Sequence, residues 1–513
     1  MKRTSLTRIF LIIILSILIV IPLIRFTFAI NVSDFKEVIV SDSWKTLLYN
    51  TLWSTLLATV ISVGIALVCA LLLIRKNIKR RSLFVIIFTV PMLIPSISHG
   101  LGLVIILGNN GFLTKVLNLA YGIYGFTGVV IGGFLYSFPV AFIMLYDILS
   151  YEDLSTYQAA KILGISNTRA FLKLTLAYLK KPLCITFFAI FTLIITDYGV
   201  PIAIGGKFDT IAKSLYLEAT NMLNYGKSSV YSLCLLLPAF LAFIMEFSLK
   251  SNNNSELCSN HVKQTNRSRL LISYIILGCV SLICLLPILA FVSHFSIVNI
   301  VKVFQNGIID KLYNSLIIST ATGFLGITTA FFCSYLVIRS ESKHSRILLH
   351  GISILPMAIP GLVLGISYVT LFKNSPMYNT VFILIAVNLA HFISTPYIML
   401  TNCLKEINMN LEKVGRTLGI SRIRVIWSII IPQSFSTLCE CFAYFFINCM
   451  MTISAVSFLA NSKTMPISLM INVYERQMQF EEIAIVSLII LMVNLTLKGI
   501  IRLITKNRGV VYA

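Results

Sequence analysis

The chain has 513 residues, of which 57% are hydrophobic and 12% charged, with 41 Lys and Arg against 19 Asp and Glu and a mean hydropathy of +0.90. A soluble chain carries about 25% charged residues, so this composition excludes the soluble class and marks a membrane protein. The net charge of +22 is then read with topology, because cytoplasmic loops collect Lys and Arg, and no nucleic-acid binding is expected.

A spanning helix needs about 20 mostly apolar residues. In chain order, apolar runs predict spans at 9–29, 51–74, 83–107, 125–147, 183–204, 229–247, 270–292, 313–338, 347–371, 379–401, 435–458 and 482–501. The first follows Lys2, Arg3 and Arg8 without a small-residue cleavage site, so it reads as an anchor helix and not as a removed signal. Alternating these spans from a cytoplasmic N-terminus places 29 of the 41 basic residues inside, the cluster Arg75 to Arg81 foremost, with both termini cytoplasmic and lipid as the surrounding partner. Most of the eleven cysteines lie within apolar runs and read as small hydrophobes. No spacing suggests a metal site or a disulfide framework.

The chain repeats itself. Leu48-Tyr49-Asn50-Thr51 matches Leu312-Tyr313-Asn314-Ser315, Pro91-Met92-Leu93-Ile94-Pro95 matches Pro356-Met357-Ala358-Ile359-Pro360, and Leu163-Gly164-Ile165-Ser166 matches Leu418-Gly419-Ile420-Ser421, at offsets of 264, 265 and 255. The drop in offset is explained by a longer outer loop around 109–122 in the first half. The prediction is an all-α membrane protein of about twelve transmembrane helices in two parallel six-helix repeats, which would enclose a central pathway. Its segments are an anchor helix and outer loop (1–48), a first domain (49–250), a polar linker (251–269), a seventh span and outer loop (270–311), a second domain (312–505) and a tail (506–513).

The loops after the fourth and tenth spans are long and carry the third repeat. Ser155 with Gln158 fits a capping box for a helix over 155–163. Gly164 is placed to end that helix in a left-handed conformation, and Ser166 to cap a second one. The other copy uses Asn410 as cap and Glu412 in the first turn, where the helix dipole favours a carboxylate. Small residues there would admit the surface of another protein.

Gln158-Ala159-Ala160, then Gly164, resembles the EAA loop of type-1 ABC importer permeases: Glu-Ala-Ala, three residues, Gly, and a Pro after an aliphatic residue about thirteen positions on. In the second half Lys413-Val414-Gly415 leads to Gly419 and then Ile431-Pro432. Both copies depart from the pattern, with Gln158 and Lys413 at the acidic position and Ala177 where the first Pro is usual. The resemblance, over about 50–506, implies a transport subunit that is not an enzyme. Two ATP-binding subunits would receive the loops through Gln158, Ala159, Ala160, Gly164, Glu412, Val414, Gly415, Gly419 and Pro432, and an extracellular or periplasmic solute-binding protein would deliver the solute. ATP and magnesium would sit on the partner, since this sequence has no GxxxxGK[S/T] segment, and no cofactor is expected on this chain.

Ionisable groups within spans are functional candidates. Asp197 with Tyr198 in the fifth span, and Thr452 with Ser454 one repeat later, read as lining one pathway, with the equal alternative that Asp197 reaches the outer interface or pairs structurally; Glu440 and His391 read as interhelical hydrogen-bonding groups. Asp197-Tyr198-Gly199-Val200-Pro201, Gly205-Gly206-Lys207-Phe208 and Leu215-Tyr216 look like fused permeases assigned to ferric iron or 2-aminoethylphosphonate. The competing class, a major-facilitator transporter, would not need two long duplicated loops and usually has a Gly/Asp/Arg-rich loop after its second span, where this chain has Arg75-Lys76-Asn77-Ile78-Lys79-Arg80-Arg81.

Overall fold

A computed structural model describes residues 2–28, 30–75, 78–116, 118, 122–152, 155–249, 267–339 and 342–506. The predicted linker falls almost wholly outside the described residues, as does the tail beyond Lys506 and the side chain of Gln158. Among the described residues the secondary structure is helical. Nine helices among these residues are long and apolar enough to span a membrane, and twelve spans result if each of three bent pairs counts as one.

The bent pairs explain where the predicted spans needed correction. The ninth breaks into Lys343–Ala358 and Gly361–Phe372, bent by 110° at Pro360; in the third, the turn Val90–Leu93 and Pro95 separate Arg81–Thr89 from Ser96–Leu107. Proline lacks the N–H and clashes with the preceding turn, so the repeated Pro-x-x-x-Pro ends one helix and starts the next. The predicted spans 183–204 and 435–458 are too long: their helices end at Ile195 and Met451, and the chain turns into short elements, Gly199–Ile204 in the first half. Val381–Phe392 and Ser394–Glu406 are bent by 53° just before Pro396, whereas Phe126–Ser150 runs unbroken through Pro139. Around Pro432, Arg422–Gln433 meets Phe435–Met451 at 76°. The first half has Ala177 at that position and keeps one helix, Phe171–Ile195.

The two halves superimpose in chain order. Ser43–Arg75 corresponds to Ile308–Ile338, and Tyr225–Leu249 to Phe480–Lys506. The outer connection 108–125 is ten residues longer than its counterpart 373–380, which accounts for the change in repeat offset. The halves are also interlocked. The anchor helix packs on the second half, where Tyr368 donates to the Leu18 carbonyl at 2.7 Å within the wide turn Ser16–Val20 and Arg8 reaches Ser345 at 2.8 Å. Arg267–Ser293 packs on the first half. Its Pro287 sits where a Cβ on Gly102 would stand at 2.7 Å, and Tyr274 accepts from the Lys79 N–H at 2.8 Å.

Two helices dip into the bundle without crossing it, Ile211–Thr220 and Ile467–Arg476. Phe171–Ile195 carries the chain about 37 Å away from the long loops, at 1.5 Å per residue, so the dipping helices belong to the opposite face. Their first N–H groups have no partner inside the helix. The Ile211 N–H donates to Thr51 Oγ1 at 2.9 Å and the Ile467 N–H to Ser315 Oγ at 2.7 Å. Asn50 and Asn314 donate to the carbonyls of Asp209 and Lys463 in the approaching loops. The repeated Asn-Thr/Ser pair is therefore the device that pins each dipping helix.

Thr51→Val should leave the Ile211 N–H unpaired and cost about 1–2 kcal/mol, read as a lower thermal midpoint of the detergent-purified chain. Thr59→Val is the control, because the Thr59 hydroxyl bonds only the Thr55 carbonyl of its own helix; equal losses in both variants would contradict the pinning role.

Candidate functional site

At the loop face, the helices Ser155–Ile162 and Asn410–Thr417 end in the same way. Gly164 and Gly419 adopt φ of 69° and 72° with open space around them. The N–H groups of Leu163 and Ile165 return to the Ala159 and Ala160 carbonyls at 3.0 and 2.9 Å, and those of Leu418 and Ile420 to Val414 and Gly415 at 3.0 and 2.8 Å. This is a left-handed helix stop, which glycine takes without steric cost.

The predicted loop residues divide by direction. Ala159, Val414 and Pro432 stand exposed, with Ile162, Leu163 and Leu418 beside them. Ala160 is buried, and a Cβ on Gly415 would come within 2.8 Å of Val425. At Gly415 small size serves the chain's own next helix, Arg422–Val425. Asn410 opens its helix, but the capping amide belongs to Asn408, whose Oδ1 accepts from the Asn410 N–H at 2.9 Å.

Glu412 does more than complement a helix dipole. It is buried, accepts from Arg339 Nε at 2.6 Å and from the Tyr335 hydroxyl at 2.9 Å, and Arg422 donates to that hydroxyl at 2.9 Å. The first half builds the same joint from other residues: Arg75 Nη2 donates to both Glu152 oxygens at 2.9 and 2.7 Å and to the Tyr157 hydroxyl at 2.8 Å. Burial raises the Tyr157 hydroxyl above its ordinary value, partly offset by its hydrogen bond from Thr175 and by the Arg75 charge. Each clamp ties a loop helix to the end of the longest helix of its half. Arg75 and Arg339 stand 264 apart, the offset of the first repeat, so the repeat register held a sign of them that the reading as positive-inside charge obscured.

On the opposite face the dipping helices meet between the halves. Tyr198 and Tyr216 stack with ring centroids 4.3 Å apart. Asn472 donates to both hydroxyls, at 3.3 and 3.1 Å, Ser457 lies 3.1 Å from Tyr198, and Arg476 Nη2 donates to Tyr216 at 3.2 Å. Tyr216 and Asn472 are 256 residues apart and occupy matching places on the two dipping helices. This cluster borders a cavity of about 400 Å³ that also reaches Lys213, Asn221, Glu475 and Met478.

Of the predicted pathway residues, only Tyr198 joins this cross-half cluster. Asp197 caps Gly199–Ile204, accepting from the Val200 N–H at 2.9 Å, beside a cleft lined by first-half residues such as Thr51, Thr55 and Tyr136. The Thr452 N–H closes Phe435–Met451 on the Asn448 carbonyl, and its own carbonyl accepts from Ser468. Ser454 packs against Gly361, while its counterpart Gly199 packs against Ser96. Asp197 is therefore not brought into one cavity with Thr452 and Ser454. His391 lies beside Gly361 with Nδ1 unpartnered, and Glu440 is exposed. Among the described residues no group of three or more His, Cys, Asp or Glu converges to hold a metal ion.

Glu412→Ala strands the Arg339 guanidinium, whose side chain is 4% exposed, and should cost about 3–5 kcal/mol. Replacing both partners, Arg339→Met with Glu412→Leu, should recover most of that loss. Thermal unfolding and protease cleavage within 402–425 are the measurements; a single variant as stable as the parent would contradict the clamp.

The family model for the binding-protein-dependent transport system inner membrane component matches residues 62–250 and again 323–508. A protein of Haemophilus influenzae provisionally named a ferric transport system permease is 26% identical over 82% of this chain and 71% of its own. The ferric transport system permease protein of Actinobacillus pleuropneumoniae is 25% identical over 82% of this chain, which spans 65% of that protein. A molybdenum transport system permease protein of Haemophilus influenzae is 33% identical over 22% of this chain and 52% of its own. The duplicated match agrees with the duplicated fold and does not favour the major-facilitator reading. The chain belongs to the binding-protein-dependent transport system inner membrane component family, as a multi-pass membrane permease of ABC importers that carries the family unit twice and is not itself an enzyme.

Proposed function

We propose that this permease forms the solute pathway between its two halves and that its two long loops dock on two separate ATP-binding subunits, where ATP and magnesium are held. In this reading both termini are cytoplasmic, and a solute-binding protein delivers its cargo to the opposite face. The observation that carries the reading is the twofold occurrence of a helix closed by a left-handed glycine, with exposed Ile162, Leu163, Val414 and Leu418 beside it. The clamps at Arg75 and Arg339 supply a rigid link from each loop to the longest helix of its half, along which loop movement would reach the pinned dipping helices.

The solute we assign is ferric iron or 2-aminoethylphosphonate. Relatives named for ferric transport align over most of the chain, which supports iron. The first-half residues Tyr198 and Tyr216, which belong to the segments that look like both groups of permeases, meet the second half at Ser457 and Phe458.

The test exploits the open space around both glycines. Gly164→Val with Gly419→Val forces a β-branched residue into a left-handed conformation, whereas the Gly→Asn pair is tolerated there. The valine pair should reach the membrane, lose co-purification of the ATP-binding subunit by about tenfold and abolish ATP-driven uptake, while the asparagine pair stays near the parent. Assembly and uptake unchanged in the valine pair would refute docking through these loops, and uptake driven by an ion gradient without any ATPase would refute the importer mechanism itself.

A further inference from the structure

Arg476, whose side chain is exposed, is set apart from the cations of the clamps and of the cavity by what it lacks. Arg75 and Arg339 are paired with carboxylates, and Lys213, in the same cavity, is paired with Asp209 at 2.7 Å and donates to the Gly206 carbonyl. Arg476 makes no ion pair among the described residues. It spends one donor on the Tyr216 hydroxyl and lies over that ring at 5.9 Å. A guanidinium has five donors in a planar fork, so most of its hydrogen-bonding capacity remains for an occupant of the 400 Å³ cavity it lines.

We infer that Arg476 is the solute-reading residue of this cavity, and that what it reads is an oxyanion head: a phosphonate, a phosphate, or the carboxylate face of a metal chelate. The inference deepens the importer reading and rests on it. A planar fork matches two oxygens of such a head at once, with charge on both partners. A bare trivalent cation would instead meet Arg476 and Lys213 as like charges. The same wall offers an acceptor for the remainder of the solute, the Glu475 carboxylate. That acceptor suits the ammonium of a zwitterion.

The second half alone supplies this cation. The matching position on the first dipping helix is Thr220, whose hydroxyl is turned back to the Tyr216 carbonyl at 2.8 Å. The cavity therefore takes one oxyanion, not a symmetric pair. Because Arg476 also holds Tyr216, an oxyanion that draws the guanidinium toward itself removes one of the bonds that keep the tyrosine stack in place. Occupancy and release of the stack are thereby linked through one side chain.

The full chain, purified with its ATP-binding subunits in lipid nanodiscs, is titrated with 2-aminoethylphosphonate, inorganic phosphate, ferric citrate and, as a hard trivalent cation without a chelator, lanthanum chloride. At least one oxyanion should bind. Its affinity should fall by about tenfold or more in Arg476→Gln and be partly kept in Arg476→Lys, with subunit assembly unchanged. The first two probes against ferric citrate separate a free phosphonate or phosphate from a chelate. No oxyanion binding by the parent, equal oxyanion affinity in Arg476→Gln, or tighter binding of lanthanum than of every oxyanion would each overturn the inference. Failure of the importer reading is seen separately, as a chain that does not assemble with an ATPase.

Discussion

A helix that ends inside a bilayer leaves backbone N–H groups with no water to take them, and each unpaired group there costs several kcal/mol. A spanning helix avoids this cost, but the two short helices packed into this bundle do not. In this chain the cost is met from the neighbouring long helix, by the hydroxyls of Thr51 and Ser315 and the amides of Asn50 and Asn314. That exchange allows Ile211–Thr220 and Ile467–Arg476 to exist, and with them the cavity and the tyrosine stack between the halves. It also ties each dipping helix to the helix whose other end carries Arg75 or Arg339.

Each half thus has a continuous mechanical line from loop to centre: loop helix, arginine clamp, long helix, hydroxyl pin, dipping helix. The line is duplicated in geometry and not in chemistry. Glu412 lies on the loop helix itself, whereas Glu152 precedes it and Tyr157 occupies the place of Glu412. At the centre, Tyr216 faces Asn472 and Thr220 answers to Arg476. The two copies of one unit differ at these positions while keeping the backbone pins in common. The crossed packing of the anchor helix and of Arg267–Ser293 joins the halves into one body.

The repeat was legible because it is written in residues whose backbone roles are local. A proline turn, a left-handed glycine and an Asn-Thr/Ser pair act within a few residues of themselves, so Pro91 to Pro95, Gly164 and Asn50-Thr51 could be matched to their copies by eye. The span ends were less legible. Val200 to Ile204 continues the apolar character of the helix before it, and hydropathy does not distinguish a helix that continues from a chain that turns back into protein. Asp197 drew attention as a charge within an apolar run, yet its geometry is that of a cap. The residues that do bring the halves together, Tyr216 on one side and Asn472 and Arg476 on the other, are separated by 256 and 260 residues and have nothing unusual in their local sequence.

By itself the sequence determined a membrane chain, the repeat of two like units, their common direction and the two loops with their glycine stops, because each depends on composition or on interactions between near neighbours. Only the tertiary structure decided that Ala160 and Gly415 are buried, that Arg75 and Arg339 are clamps, and that Arg476, without an ion pair among the described residues, donates to a stacked tyrosine. Those features arise from side chains distant in sequence that share the space between packed helices, where burial makes each polar group find a partner or leaves it open for a solute.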